Sequence, residues 1–70
     1  MVLDWERISK RMKRRRRSLG LTQAELGGLV GVSKNTITRI EIGNRRPSIY
    51  LLERLADTFG CSIRSLLAEF

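Results

Sequence analysis

Lys34, Asn35, Thr38 and Arg39 fall within a stretch of six residues and share one face at helical spacing. Together they offer one amide, one hydroxyl and two cations, a set suited to reading the edges of DNA bases. A guanidinium can bridge O6 and N7 of guanine, and an asparagine amide can bridge N6 and N7 of adenine. A polar helix face taken singly is more often just a solvated face. The weight therefore falls on whether the neighbouring residues build a frame that presents this one.

They predict such a frame. Thr22 and Glu25 have the spacing of a capping box, so a helix begins at Gln23. Leu26, Leu29 and Val30 give it an apolar stripe, and Gly27 sits where the next helix must cross closely, with no room beyond an alanine. Gly31 supplies a left-handed turn residue. Val32 is an apolar plug, Ser33 is a good N-cap, and a second helix runs from Lys34 to about Ile42 with Ile37 and Ile40 inward. The layout is two short helices meeting at a tight glycine turn.

Three further helices are expected around that pair. The first runs from an N-cap at Asp4 to Leu19, stopped by Gly20, with Trp5, Ile8, Met12 and Leu19 along one face. Asn44, Arg45, Arg46 and Pro47 form a basic turn after Gly43, and the proline ends the preceding helix. The fourth starts at Ser48 and buries Ile49, Leu52, Leu55, Ala56 and Phe59 up to Gly60. The fifth starts at Ser62 with Ile63, Leu66, Leu67 and Phe70 at i, i+3, i+4 and i+7. No alternating run is long enough for a strand. The expectation is an all-α, five-helix fold forming one domain over residues 1–70.

Composition narrows the chemistry. The chain has no histidine and a single cysteine, Cys61, which excludes an internal disulfide, a zinc site and histidine-based catalysis, and fits a reducing compartment. Neither a metal nor a cofactor is expected. Glu25 reads as a cap and Glu53 as a surface residue, and no nucleophile–base pair or metal cluster is present, so an enzyme is not expected. No apolar run approaches membrane-spanning length and no signal-peptide core is present, so a cytoplasmic protein without a membrane partner is expected. The net charge of +7 is lopsided: residues 1–46 carry +8 and residues 47–70 carry −1. The first part can face a polyanion while the last faces core or protein.

The strings LTQAELGGLVGVSKNTITRIEIGNRRPS and LLERLADTFGCSIRSLL resemble the Cro and lambda-repressor type of helix-turn-helix domain, the XRE family, from about Arg16 to Leu67. The signals that carry the resemblance are Gln23, a small residue at 27, Gly31, Val32-Ser33, Ile37, Ile40-Glu41, Gly43 and Pro47-Ser48, all in register. The resemblance implies a lambda-repressor-like five-helix bundle that binds double-stranded operator DNA as a homodimer and regulates transcription. It implies that Gln23 touches a phosphate through its side chain and backbone N–H. Lys34, Asn35 and Arg39 would reach base edges, with Ser33, Thr36 and Thr38 near the DNA backbone or the groove edge. Asn44, Arg45 and Arg46 would grip phosphates flanking the half-site, and Arg16 would pair with Glu41. Gly27 and Gly28 depart from the alanine and polar residue usual there and should weaken the helix.

Two features stay open at this level. Residues 10–17, KRMKRRRR, hold half of the chain's cations and point all round a helix, so they cannot serve one purpose. Ile63, Leu66, Leu67 and Phe70 can either close the bundle or form a dimer seam. Competing readings are a protein-binding adaptor and a sequence-neutral nucleic-acid binder. A regulatory protein partner is also compatible with so small a domain.

Overall fold

A computed structural model of the chain describes residues 3–68 and contains helices only among them. They are α1 (Trp5–Ser18), α2 (Gln23–Val30), α3 (Lys34–Glu41), α4 (Ile49–Phe59) and α5 (Ile63–Leu67). Every one starts on a side-chain N-cap: Asp4, Thr22, Ser33, Ser48 and Ser62 each accept a hydrogen bond from a backbone N–H three residues on. The first four are followed by a glycine with φ between +70° and +84°. Beyond each glycine the next backbone N–H reaches back five residues: Leu21 to Arg16, Val32 to Gly27, Asn44 to Arg39 and Cys61 to Ala56. This closure satisfies carbonyls that the helix end would otherwise leave orphaned.

The core gathers Ile8 and Met12 of α1, Leu26 and Val30 of α2, Ile37 and Ile40 of α3, Leu51, Leu52, Leu55 and Ala56 of α4, and Leu66 of α5. Each fully buried aliphatic side chain contributes about 1.5–3 kcal/mol. α3 packs against α2 and α1, α4 supports α2, and α5 closes the bundle against α1 and α4. Long-range arginines tie the helices at their ends. Arg54 of α4 donates to the Val30 carbonyl at the end of α2 (3.4 Å), and Arg11 of α1 donates to the Leu66 carbonyl in α5 (2.9 Å).

The apolar pattern needs four corrections. Leu29 is 63% exposed, because at 100° per residue it lies far round the helix from the buried arc of Leu26, Val30 and Gly27. Leu19 is half exposed at the C-cap of α1, beyond the face that Ile8 and Met12 bury. In α4 the buried arc runs through Leu51, so Ile49 in the first turn is left exposed and Phe59 is only half-buried. Leu66 is wholly enclosed within its own bundle, which withdraws it from any seam between copies. Ile63 and Leu67 are half-buried against the same core, and Phe70 lies outside the described residues.

Candidate nucleic-acid interface

α2 is held at its start by the reciprocal capping box: Thr22 Oγ1 accepts from the Glu25 N–H (3.0 Å) and Glu25 Oε1 accepts from the Thr22 N–H (2.9 Å). Hydrogen bonding to Thr22, through its backbone N–H first and its side chain second, holds the Glu25 carboxyl below its ordinary value. At the other end the turn folds back so tightly that a Cβ on Gly27 would lie 2.6 Å from the Val32 carbonyl oxygen. The obstacle is turn backbone rather than the facing helix, so even alanine forces a shift. Gly28, one residue on, faces open space. Ser33 then starts α3, its Oγ accepting from the Thr36 N–H (3.2 Å) and lying 3.0 Å from Thr36 Oγ1.

The angle between α1, α2 and α3 is fixed by a buried polar network. Arg16 Nε and Nη2 donate to the two carboxylate oxygens of Glu41 at 2.6 and 3.0 Å, and Arg16 Nη1 donates to the Leu21 carbonyl (2.7 Å). Both side chains are almost fully buried. The hydrogen bond to Glu41 pushes the already high pKa of Arg16 further up against the opposing effect of burial, so the guanidinium stays charged. Gln23 joins the same network. Its Nε2 donates to Glu41 Oε1 (3.1 Å) and its Oε1 accepts from Thr38 Oγ1 (2.8 Å). A carboxylate only accepts, so the amide has a single satisfying orientation. Thr38 Oγ1 also lies 3.0 Å from the Lys34 carbonyl, and its one proton serves one acceptor at a time.

Two expectations change in consequence. The Gln23 side chain has partners inside the protein at both ends, which leaves its place at the start of α2, rather than its amide, facing outward. Thr38, expected on the open face, is half-buried and engaged.

Lys34, Asn35 and Arg39 are different. All three are exposed, and among the described residues no hydrogen bond or ion pair holds their side chains. With Thr38 they span an arc of about 140° on α3 at 100° per residue. The basic turn continues from that surface. The Asn44 N–H bonds back to the Arg39 carbonyl (2.9 Å), so the turn is anchored to the last turn of α3, and Asn44, Arg45 and Arg46 are exposed. The Arg46 guanidinium carbon stands 5.4 Å from the centroid of the Trp5 ring.

The basic run of α1 divides as its all-round distribution requires. Arg16 goes to Glu41, Arg11 to α5, and Arg15 Nη2 lies 3.4 Å from Ser65 Oγ. Lys13, Arg14 and Arg17 remain exposed. The links from Arg11, Arg15 and Arg54 were not foreseen, since nothing local marks which cation in a run meets a distant carbonyl.

The model of a helix-turn-helix family, HTH_3, matches residues 12–66. An uncharacterized HTH-type transcriptional regulator of Methanothermobacter thermautotrophicus is 43% identical over 49 residues, covering 70% of this chain and 71% of that protein. Among solved structures, the P22 c2 repressor in complex with a synthetic operator superposes with a TM-score of 0.82 at 35% identity, over 86% of this chain and 91% of that one. SinR in complex with DNA, the master regulator of biofilm formation, superposes with a TM-score of 0.80 at 32% identity, over 87% and 98% of the two chains. The DNA-binding domain of that protein is from Bacillus subtilis.

Proposed function

This chain belongs to the Cro and lambda-repressor type of helix-turn-helix family, DNA-binding transcriptional regulators, and from that premise we propose that it reads a pseudo-palindromic operator as a homodimer. α3 enters the major groove. Lys34 and Asn35 in its first turn reach deepest, and Arg39 reads one turn further along. The observation that carries this reading is the exposed, unengaged set of Lys34, Asn35 and Arg39 on a helix held at its C-terminal end by the buried Arg16–Glu41 pair. Gln23, through its backbone at the positive end of α2, and Asn44, Arg45 and Arg46 after α3 hold the flanking phosphates and fix the register. Ser33 and Thr36 serve first to cap α3 and sit at the groove edge, beside Thr38.

Two copies place their α3 helices in successive turns of one DNA face, about 34 Å apart. The exposed sides of Ile63 and Leu67 supply the seam, while Leu66 stays within each bundle. In sedimentation, Leu67→Asp should shift a folded protein from dimer towards monomer, and an unchanged dimer removes α5 from the interface. Selection from random duplex DNA at physiological salt tests the reading as a whole. A two-fold symmetric enriched sequence supports a dimeric operator reader. Absence of enrichment, with binding that disappears as salt rises, overturns it in favour of sequence-neutral binding.

A further inference from the structure

Trp5 and Arg46 are far apart in the chain and meet across the bundle, where the first turn of α1 lies beside the turn that follows α3. The separation of 5.4 Å from guanidinium carbon to ring centroid is within the range of a cation–π contact. Trp5 is half-buried and packed on the core, so one part of the ring is anchored while another is open to Arg46. Arg46 itself is exposed and forms no hydrogen bond or ion pair with the described residues. Neither Arg45 nor any other described cation has an aromatic ring beneath it.

We propose that Trp5 is a positioning residue for DNA binding, holding Arg46 over its ring with the donors of the guanidinium edge presented to a backbone phosphate. The proposal rests on the reading of residues 44–46 as the phosphate grip. Its physical basis is that the two interactions use different parts of one group. A ring that takes the face of a guanidinium leaves its in-plane N–H groups available for a bidentate contact with phosphate. A free arginine loses rotamer freedom when it closes on a phosphate, and a side chain already restrained by the ring loses less. Because the basic turn is tied to α3 through Asn44 and Arg39, holding Arg46 also holds the end of the recognition helix relative to α1. The first turn of α1 thereby becomes part of the DNA-binding apparatus, although Trp5 touches no DNA.

The test is a double-mutant cycle read by fluorescence anisotropy, with a labelled duplex of mixed sequence titrated at several salt concentrations. A phosphate grip acts on any sequence, so the result does not depend on knowing the operator. Trp5→Leu should weaken binding about two- to fivefold. It should leave the salt slope as in the parent, because the charge of Arg46 is still there. Arg46→Ala should weaken binding and reduce the slope by about 0.9. In the Arg46→Ala background, Trp5→Leu should have no further effect on affinity, although it still lowers the melting temperature through lost packing. Trp5→Phe keeps a ring face and should recover most of the loss. Arg46→Lys, at an exposed position where folding is not at risk, keeps the charge but not the planar stack and should resemble Trp5→Leu.

An equal Trp5→Leu loss with and without Arg46 overturns the proposal, as does an Arg46→Lys variant that binds like the parent. Either result leaves the DNA-binding reading standing. A parent protein that binds no duplex at any salt overturns both.

Discussion

The two sides of the α2–α3 pair use polar residues in opposite ways. On the inner side Arg16, Glu41, Gln23 and Thr38 bond one another, and the turn closes on Gly27 with no space to spare. On the outer side Lys34, Asn35, Arg39 and the turn from Asn44 to Arg46 are exposed, and their side chains form no hydrogen bonds or ion pairs among the described residues. The difference is one of dielectric and entropy. A buried charge must be paired, and the pair then fixes geometry. An exposed one can wait for a partner in solution at little energetic cost. A recognition surface needs both, since side chains that are free to bind are useful only on a helix that is not free to move.

Substitutions on the two sides should therefore separate folding from binding. The largest effect is expected from Arg16→Met, which leaves the Glu41 carboxylate buried with only Gln23 beside it. Urea unfolding should show a loss of about 3–5 kcal/mol, enough to unfold much of so small a domain. A loss below about 1 kcal/mol would mean that the inner network does not lock the helices.

Asn35→Ala examines the outer side. Affinity for the selected sequence should fall by about 1–3 kcal/mol with relaxed preference at one base position. Stability should change by less than about 0.5 kcal/mol. A variant that loses affinity equally for all sequences would remove Asn35 from base reading.

Adjacent glycines sharpen the contrast within a single helix. Gly27→Ala must displace the Val32 backbone and should destabilise by about 1–3 kcal/mol. Gly28→Ala enters open space and should stabilise by about 0.5–1 kcal/mol through helix propensity. Changes of the same sign in thermal melts would contradict the geometry of the turn.

The smallest effect concerns the cap. Glu25 has a lowered folded pKa, so its ionised form favours the fold above its ordinary value of 4.5, and that contribution is lost as pH falls through the folded pKa. Glu25→Gln should lose less melting temperature than the parent between neutral pH and the acid side of 4.5. Parallel losses would show that the charge of the cap does not matter.

Much of this was open to reading along the chain. The N-caps at Asp4, Thr22, Ser33, Ser48 and Ser62 and the glycine stops set the helix limits to within a residue or so, whereas α5, which no glycine follows, ends at Leu67 with Ala68 already extended. The exposure of Lys34, Asn35 and Arg39 on α3 followed from its period of 3.6, although Thr38 between them turned out half-buried. The apolar residues were harder. Leu29 and Ile49 have the right character for the core but lie off the arc their neighbours bury, and Leu51 takes a place that simple spacing gave to Ile49. Short helices leave the phase of such a pattern poorly determined, because two turns contain too few apolar residues to define a centre.

Sequence by itself determined where each helix starts, where the first four stop and which family the pattern resembles, because caps, glycine closures and helical period depend on residues three to five apart. Tertiary structure alone decided that Arg11 and Arg15 of the α1 run turn to α5, that the Gln23 amide faces Glu41 and Thr38, that Leu66 is enclosed by its own bundle, and that Arg46 rests on Trp5. These contacts join residues 15 to 55 positions apart. Identical arginines in one run differ only in where the fold carries a carbonyl, a carboxylate or a hydroxyl to meet them.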